Sequence, residues 1–230
     1  MAILDRAEWY DIARTTNWTP KYVSEEELFP SEMSDPFHLS MEDWEAYDEP
    51  YKISYREYVQ TQHEKDVGAY SVKAALERSN FYDQSDPGWK SSLVLFYTAA
   101  PFIEYGTCST FGRMTRFSRG PGMRNMSSFG SLDEMRHAQI QLWFGYEHIK
   151  KNPQFDWAQK GCHSNNWAVV GARHTFADLE HTRDVVSSAI MTNISFETAF
   201  TNLQFIAFAA DAAKQGDHSF ATMLQSIQTD

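Results

Sequence analysis

Cysteine is scarce. Cys108 and Cys162 are the only two in 230 residues, at a spacing that suits neither a disulfide framework nor a CxxC zinc site, and both read as reduced, mostly buried thiols. Basic residues are also few, 20 against 31 acidic, giving a formal net charge of −11 and a pI near 5.1. That balance argues against general affinity for nucleic acid or anionic membrane, both of which reward clustered Lys and Arg. No apolar run approaches the ~20 residues needed to span a bilayer. The opening MAILDRAEWYDIARTT has no apolar signal-peptide core, so a cytoplasmic protein is expected, with no membrane or nucleic-acid partner. Missing too are a Gly-x-Ser-x-Gly elbow, a phosphate-binding Gly-rich loop and a Rossmann fingerprint, which leaves serine hydrolysis, nucleotide hydrolysis and direct nicotinamide chemistry without a motif. Redox power would have to come from metal.

What is present is a packed-protein composition, 42% hydrophobic with 15% aromatic residues, enough to close a core. Residues 1–50 mix Pro, acidic residues and aromatics without sustained periodicity, and read as an arm with short helical turns that drapes over a neighbour. From Tyr55 the apolar residues Tyr58, Val59, Val67, Tyr70, Val72, Ala75 and Leu76 recur at helical steps and end near Ser79-Asn80. Asp86-Pro87 is a helix start, with Asp as cap and Pro in the first turn. SRGPGMRN, residues 118–125, reads as a turn-rich break before a helix from Met126 to Lys150. A short helix around Phe155–His163 follows, then helices over 165–190, 192–213 and 217–228. No strand-period stretch competes, so the expected fold is all-α, a helical bundle over 51–230 behind the arm.

The informative residues are carboxylates where helices should be apolar, because an isolated ionised carboxylate in a core is costly unless paired or bound to metal. Glu104 sits in LVLFYTAAPFIEYG, Glu134 and His137 in FGSLDEMRHAQIQLWF, and Glu197 in IMTNISFETAFTNLQFIAFAA. Glu134 and His137 are three apart, so both point to one side of a helix. A chain with this many Glu and His carries about half of one such pair by chance, so the weight lies in its co-occurrence with two further carboxylates on separate apolar helices. Helical bundles hold two irons in this way, and hard carboxylates with few imidazoles suit iron or manganese better than structural zinc, which would want Cys. His174, Asp178, Glu180 and His181 look ligand-like by type, but they lie in the polar stretch RHTFADLEHTRD, which reads as a solvated or interface face.

NWTPKYVSEEELFP, DEPYKISYREYV, EKDVGAYSVKAALERSNFYDQSDPGW, SFGSLDEMRHAQIQL, SFETAFTNLQFIAFAADAA and SIQTD resemble the large hydroxylase subunit of the bacterial multicomponent monooxygenases, in the toluene, isoprene and alkene monooxygenase branch. The similarity runs from residue 8 to the last residue. It implies a ferritin-like bundle of the di-iron carboxylate type in which Glu104, Glu134 and His137 bind one iron and Glu197 belongs with the second. The family completes the second iron with another Glu-x-x-His; here the chain stops at Asp230, directly before that glutamate, so a partial sequence, incomplete at the C-terminus and inactive alone, is expected.

The resemblance also implies that Asp230 orients His137, that Asp133 orients the absent histidine, and that Arg136 joins the same buried charge network. Thr201 would assist the handling of oxygen and protons, while Asn202 and Gln228 match positions that respond to a small effector protein. Ala100, Ile103, Thr107, Gln141, Phe176, Phe196 and Phe205 would line the substrate pocket. The implied reaction is insertion of one oxygen atom from O2 into a small alkene or aromatic hydrocarbon. Electrons would come from NADH through a reductase and a Rieske-type ferredoxin, and other hydroxylase subunits would cover apolar surface. Ile103 stands where the aromatic-oxidising branch often has a small residue. Pro101 just ahead of it is expected to break or kink the helix, and both favour small alkenes over toluene. The alternatives from other classes are a metal-free structural paralogue and a ferritin-like iron protein. Retention of all four carboxylate and imidazole residues argues against the first, and the phenylalanine-lined pocket with Thr201 against the second.

Overall fold

A computed structural model describes residues 3–15, 21–151, 165–228 and 230, without the side chains of 13–15, 147–151 and 201. The expected short helix around 155–163, and Cys162 with it, lie outside the described residues. Every regular element among those described is helical: α1 (Arg6–Thr15), α2 (Glu25–Leu28), α3 (Met41–Ala46), α4 (Tyr55–Ser79), α5 (Phe81–Gln84), α6 (Pro87–Phe117), α7 (Pro121–Lys151) and α8 (Trp167–His181). After these, α9 (Val185–Ala189), α10 (Glu197–Thr201) and α11 (Ala209–Gln215) alternate with π-helical stretches at Ile190–Phe196 and Asn202–Phe208, and α12 (His218–Gln228) closes the series.

Local chemistry sets most of the starts. Ser24, Ser40 and Ser54 each form a reciprocal capping box with the acidic residue three positions on. Asp86 accepts from the amides of Gly88 and Trp89, with Pro87 in the first turn. Gly216, at φ +78°, supplies the left-handed residue that ends α11 and lets the chain turn into α12.

Three boundaries differ from those expected. α7 begins at Pro121 instead of Met126, because proline fits the first helical turn, where its missing N–H is not needed, and the break shrinks to residues 118–120. The stop near residue 191 moves upstream: α8 ends at His181, Asp184 caps the next segment by accepting from the Ser187 amide, and the helical path continues through two π turns to Gln215. Pro101 does not break α6, which runs through it uninterrupted. Proline removes one backbone hydrogen bond there, while burial of Ala100, Ile103, Glu104 and Thr107 against neighbouring helices holds the segment in place.

α6 packs along α7 and α8, and α12 packs against α4. The main core gathers Trp89, Leu93, Phe96, Tyr97, Ile140, Phe144, Phe220, Met223 and Leu224. Its aromatic pairs meet edge to face, Trp89 with Phe220 at 5.5 Å and Phe96 with Phe220 at 4.8 Å. Each fully buried side chain of this size contributes about 1.5–3 kcal/mol relative to exposure.

Part of the expected arm packs on α6 and α9. Trp44 is buried in a second core with Phe111, Met114 and Val185, and its carbonyl lies so close to Gly120 that a Cβ there would collide with it. The Val185 amide donates to the Met33 and Ser34 carbonyls, so the arm also holds the start of α9.

Candidate metal centre

α6 and α7 bring Glu104, Glu134 and His137 together. They are 3%, 6% and 8% exposed, and one ligand atom from each lies within 4.8 Å of the others. Glu104 Oε2 and Glu134 Oε2 stand 3.8 and 3.7 Å from His137 Nδ1. Among the described residues this is the group of carboxylate, imidazole and thiol side chains that converges as a metal site would. His174, Asp178, Glu180 and His181 form no such cluster; Glu180 pairs with Arg113 at 3.0 Å instead. Cys108 is a buried free thiol 3.6 Å from the Ser131 hydroxyl.

The surroundings fix these three side chains. His137 Nε2 lies 2.8 Å from Asp230 Oδ2, so the N–H on that nitrogen donates outward and Nδ1 faces the carboxylates. Thr107 donates to Glu134 Oε2 at 2.9 Å, its hydroxyl also lying near the Glu104 carbonyl at 2.8 Å. Gln141 donates to Glu104 Oε1 at 2.9 Å, and Gln204, from the second π stretch, donates to the same oxygen at 3.2 Å.

Asp230, whose side chain is 1% exposed, is the hub of an outer layer. Arg136 binds it at 2.7 Å and reaches Asp66 at 2.8 Å, while Ser226 accepts from Arg136 at 2.6 Å. Lys65 pairs with Asp230 as well. Gln62 donates to Asp230 at 2.7 Å and to Asp133 at 3.2 Å, and Tyr58 hydrogen-bonds Asp133. Gln228 lines a cleft of about 610 Å³ beside Gln62, Lys65, Asp133 and Asp230.

Proton affinities report how crowded the site is with charge. Burial raises the Glu134 carboxyl, and the neighbouring Glu104 raises it further. Burial works to lower His137, but its bonds to Asp230, Glu104 and Glu134 prevail and hold it well above the usual imidazole range. Asp133 is raised to about 6, chiefly by burial. Burial would raise Asp230 as well, yet His137, Lys65 and Arg136 bring it down to about 2. With Glu134 and His137 both raised, the pocket favours bound positive charge, whether a proton or a cation.

The donor set therefore fits a hard divalent cation: two carboxylate oxygens and one imidazole nitrogen converge, with hydrogen-bond donors on Glu104 Oε1 and Glu134 Oε2.

The other expected residues are placed as follows. Glu197 lies between the two π stretches, half-buried, outside the group of three. Ala100, Ile103 and Thr107 are buried on α6, and Gln141 is fully buried opposite them. Phe176 stacks on Phe102 at 4.3 Å and fills the space that a Cβ at Gly106 would need. Phe196 stacks on Phe200 at 5.0 Å, and Phe205 packs on the main core. Asn202 is exposed and donates to the Thr198 carbonyl at 2.7 Å. Thr201 is in α10, its side chain outside the described residues.

Sequence reading passed over the Thr107 contact with Glu134 and the whole of Gln204. Thr107 carried a signal in its position three residues after Glu104. Gln204 carried one as a lone amide in an apolar run.

An all-helical bundle that buries two carboxylates and an imidazole between paired helices is the architecture of the ferritin-like di-iron proteins. The family described as Methane/Phenol/Alkene Hydroxylase matches residues 18–230, and the chain belongs to it. The chain is 37% identical to the alkene monooxygenase oxygenase component subunit alpha of Xanthobacter autotrophicus over 230 residues, 100% of the chain and 46% of that relative. To the phenol 2-monooxygenase oxygenase component of a Pseudomonas species it is 28% identical over 222 residues, 95% of the chain and 42% of the relative. It superposes on the crystal structure of xenon-pressurised phenol hydroxylase from a Pseudomonas species with a TM-score of 0.85 at 25% identity, covering 100% of the chain and 46% of that structure. Toluene-bound toluene 4-monooxygenase shares the fold, with a TM-score of 0.78 at 12% identity over 96% of the chain and 74% of that structure. The chain spans about half the length of the curated relatives it matches.

Proposed function

We propose that this chain is the metal-binding part of the large subunit of a multicomponent monooxygenase that inserts one oxygen atom of O2 into a small alkene or aromatic hydrocarbon. The observation that carries this reading is the buried convergence of Glu104, Glu134 and His137 between α6 and α7. Two irons bound in such a site would supply the activation of dioxygen that no side chain can perform.

In this reading Glu104, Glu134 and His137 hold one iron, and Glu197 belongs with the second. Asp230 keeps Nδ1 of His137 aimed inward, and Arg136 and Lys65 keep Asp230 ionised. Asp133 orients a histidine of the second iron. Thr201 handles protons near Glu197, and Asn202 and Gln228 respond to an effector protein. Ala100, Ile103, Phe176, Phe196 and Phe205 provide an apolar wall that excludes water from reacting groups. Electrons reach the site from NADH through a reductase and a Rieske-type ferredoxin, and further hydroxylase subunits cover the exposed Ile190, Ile194, Leu203 and Ile206.

Ile103 beside Glu104 narrows the approach and favours small alkenes, in keeping with the alkene monooxygenase among the relatives.

Ferrous-iron binding by the purified chain tests the site. Binding that Glu104→Ala and Glu134→Ala each abolish is expected; binding indifferent to both overturns the assignment. Turnover of propene, isoprene and toluene by the assembled oxygenase tests the substrate, and faster oxidation of toluene overturns the alkene preference.

A further inference from the structure

We propose that Gln204 is a positioning residue that ties the π-helical stretch following Glu197 to the Glu104 carboxylate and holds that carboxylate in a one-oxygen binding mode. The proposal rests on the metal-site reading above and concerns how the site is built and coupled.

In the stretch Asn202–Phe208 two aliphatic residues face outward while an amide is buried. Leu203 and Ile206 are 54% and 60% exposed, whereas Gln204 is 1% exposed. Burying a primary amide costs free energy unless it is hydrogen-bonded, so an aliphatic residue would be the cheaper filler. Among the described residues the compensation is one contact, Gln204 Nε2 to Glu104 Oε1 at 3.2 Å. A carboxylate only accepts, so the amide must turn its NH2 toward Glu104 and its carbonyl away. Gln141 does the same from α7 at 2.9 Å.

Among the described residues, neither glutamine Oε1, both buried, has a hydrogen-bond partner. Both amides are thus turned so that their N–H groups meet one carboxylate oxygen. Core filling does not explain that arrangement, whereas control of the carboxylate does. With Oε1 occupied by two donors, Oε2, the oxygen facing His137 Nδ1 at 3.8 Å, is the one left for a cation.

The two amides differ in what they connect. Gln141 comes from α7, which already carries Glu134 and His137. Gln204 comes from a separate helical path, seven residues after Glu197, in a stretch whose hydrogen-bond register is that of a π-helix. Such stretches are rare and recur at functional sites. Gln204 is thereby a direct side-chain bond through which the state of the Glu104 carboxylate is felt along the 202–208 backbone.

The test is hydrogen–deuterium exchange of backbone amides 202–208 in the full chain, with and without Co2+, together with Co2+ affinity and its visible spectrum. In the unaltered chain Co2+ is expected to slow exchange across 202–208. Gln204→Leu is expected to weaken Co2+ binding about 10–100-fold, the usual effect of removing a group that orients a ligand, and to lose the slowing even at saturating Co2+. Gln141→Leu is expected to weaken binding similarly while keeping it. Gln204→Asn, too short to reach Glu104, gives the same readout should the leucine variant fail to fold. Affinity and protection unchanged in Gln204→Leu or Gln204→Asn overturn the proposal. Co2+ binding that Glu134→Ala leaves intact overturns instead the metal-site reading beneath it.

Discussion

His137 and Asp230, 93 positions apart in sequence, meet at 2.8 Å through Nε2 and Oδ2. The contact gives the imidazole one inward-facing nitrogen, and everything bound to Asp230 serves that orientation.

Removing the partner should therefore weaken metal binding without touching a ligand. Asp230→Ala is expected to lower Co2+ affinity about 10–100-fold, measured by equilibrium dialysis, while Asp230→Asn, which keeps an acceptor for the Nε2 hydrogen, loses less.

The metal-free chain should be more stable in mild acid than in mild base. Glu134 and Asp133 are raised in the folded chain, Asp133 to about 6. Their stabilising contribution is complete below the unfolded carboxyl values and is lost as pH climbs through the folded ones. His137, also raised, contributes below its unfolded value and is lost in the same upward direction. Asp230 runs the other way, since at about 2 its contribution persists above 3.8 and fades only toward that lower value. In chelator-treated protein the unfolding temperature is expected to fall between about pH 5 and about pH 8, at roughly 2–4 °C per kcal/mol lost. Divalent metal, which displaces the protons, should flatten or reverse the trend.

Arg136→Leu strips Asp230 and Asp66 of their shared guanidinium. Leaving the nearly inaccessible Asp230 carboxylate with one cation fewer is expected to cost about 2–4 kcal/mol in urea unfolding. Arg136→Lys should recover only part, since a single ammonium cannot span both carboxylates.

Gly106→Ala should be costly for a different reason. Its Cβ would sit 2.6 Å from Phe176 Cδ2, forcing the ring off Phe102 at a cost of about 1–3 kcal/mol. Combining it with Phe176→Ala should abolish that penalty in a double-mutant cycle.

Much of this arrangement was legible in the residues. Asp86 and Pro87 announced the start of α6, and Glu104, Glu134 and His137 stood out because ionisable groups interrupted apolar helices. Other features left no such mark. SRGPGMRN has the composition of a turn, and only packing tells whether Pro121 opens a helix there. The Asp184 cap was masked by the acidic residues around it. The π stretches are a matter of hydrogen-bond offset, which composition does not encode, so their effect on the placement of Glu197 and Gln204 could not be read in advance. Pro101 looked like a breaker because its chemistry opposes a helix, but buried neighbours on both sides outweigh the loss of one hydrogen bond.

The contacts of Asp230 span long stretches of sequence. It meets Gln62 across 168 positions and His137 across 93, whereas Glu134 meets Thr107 across 27. Closing the longer loops costs more chain entropy, so α6 and α7 can draw Glu104, Glu134 and His137 together as a hairpin while most later helices are still unformed. In folding from the N-terminus, that hairpin would form before Asp230 reaches His137. The imidazole would acquire its final aim only when α12 docks on α4 and brings in Asp230.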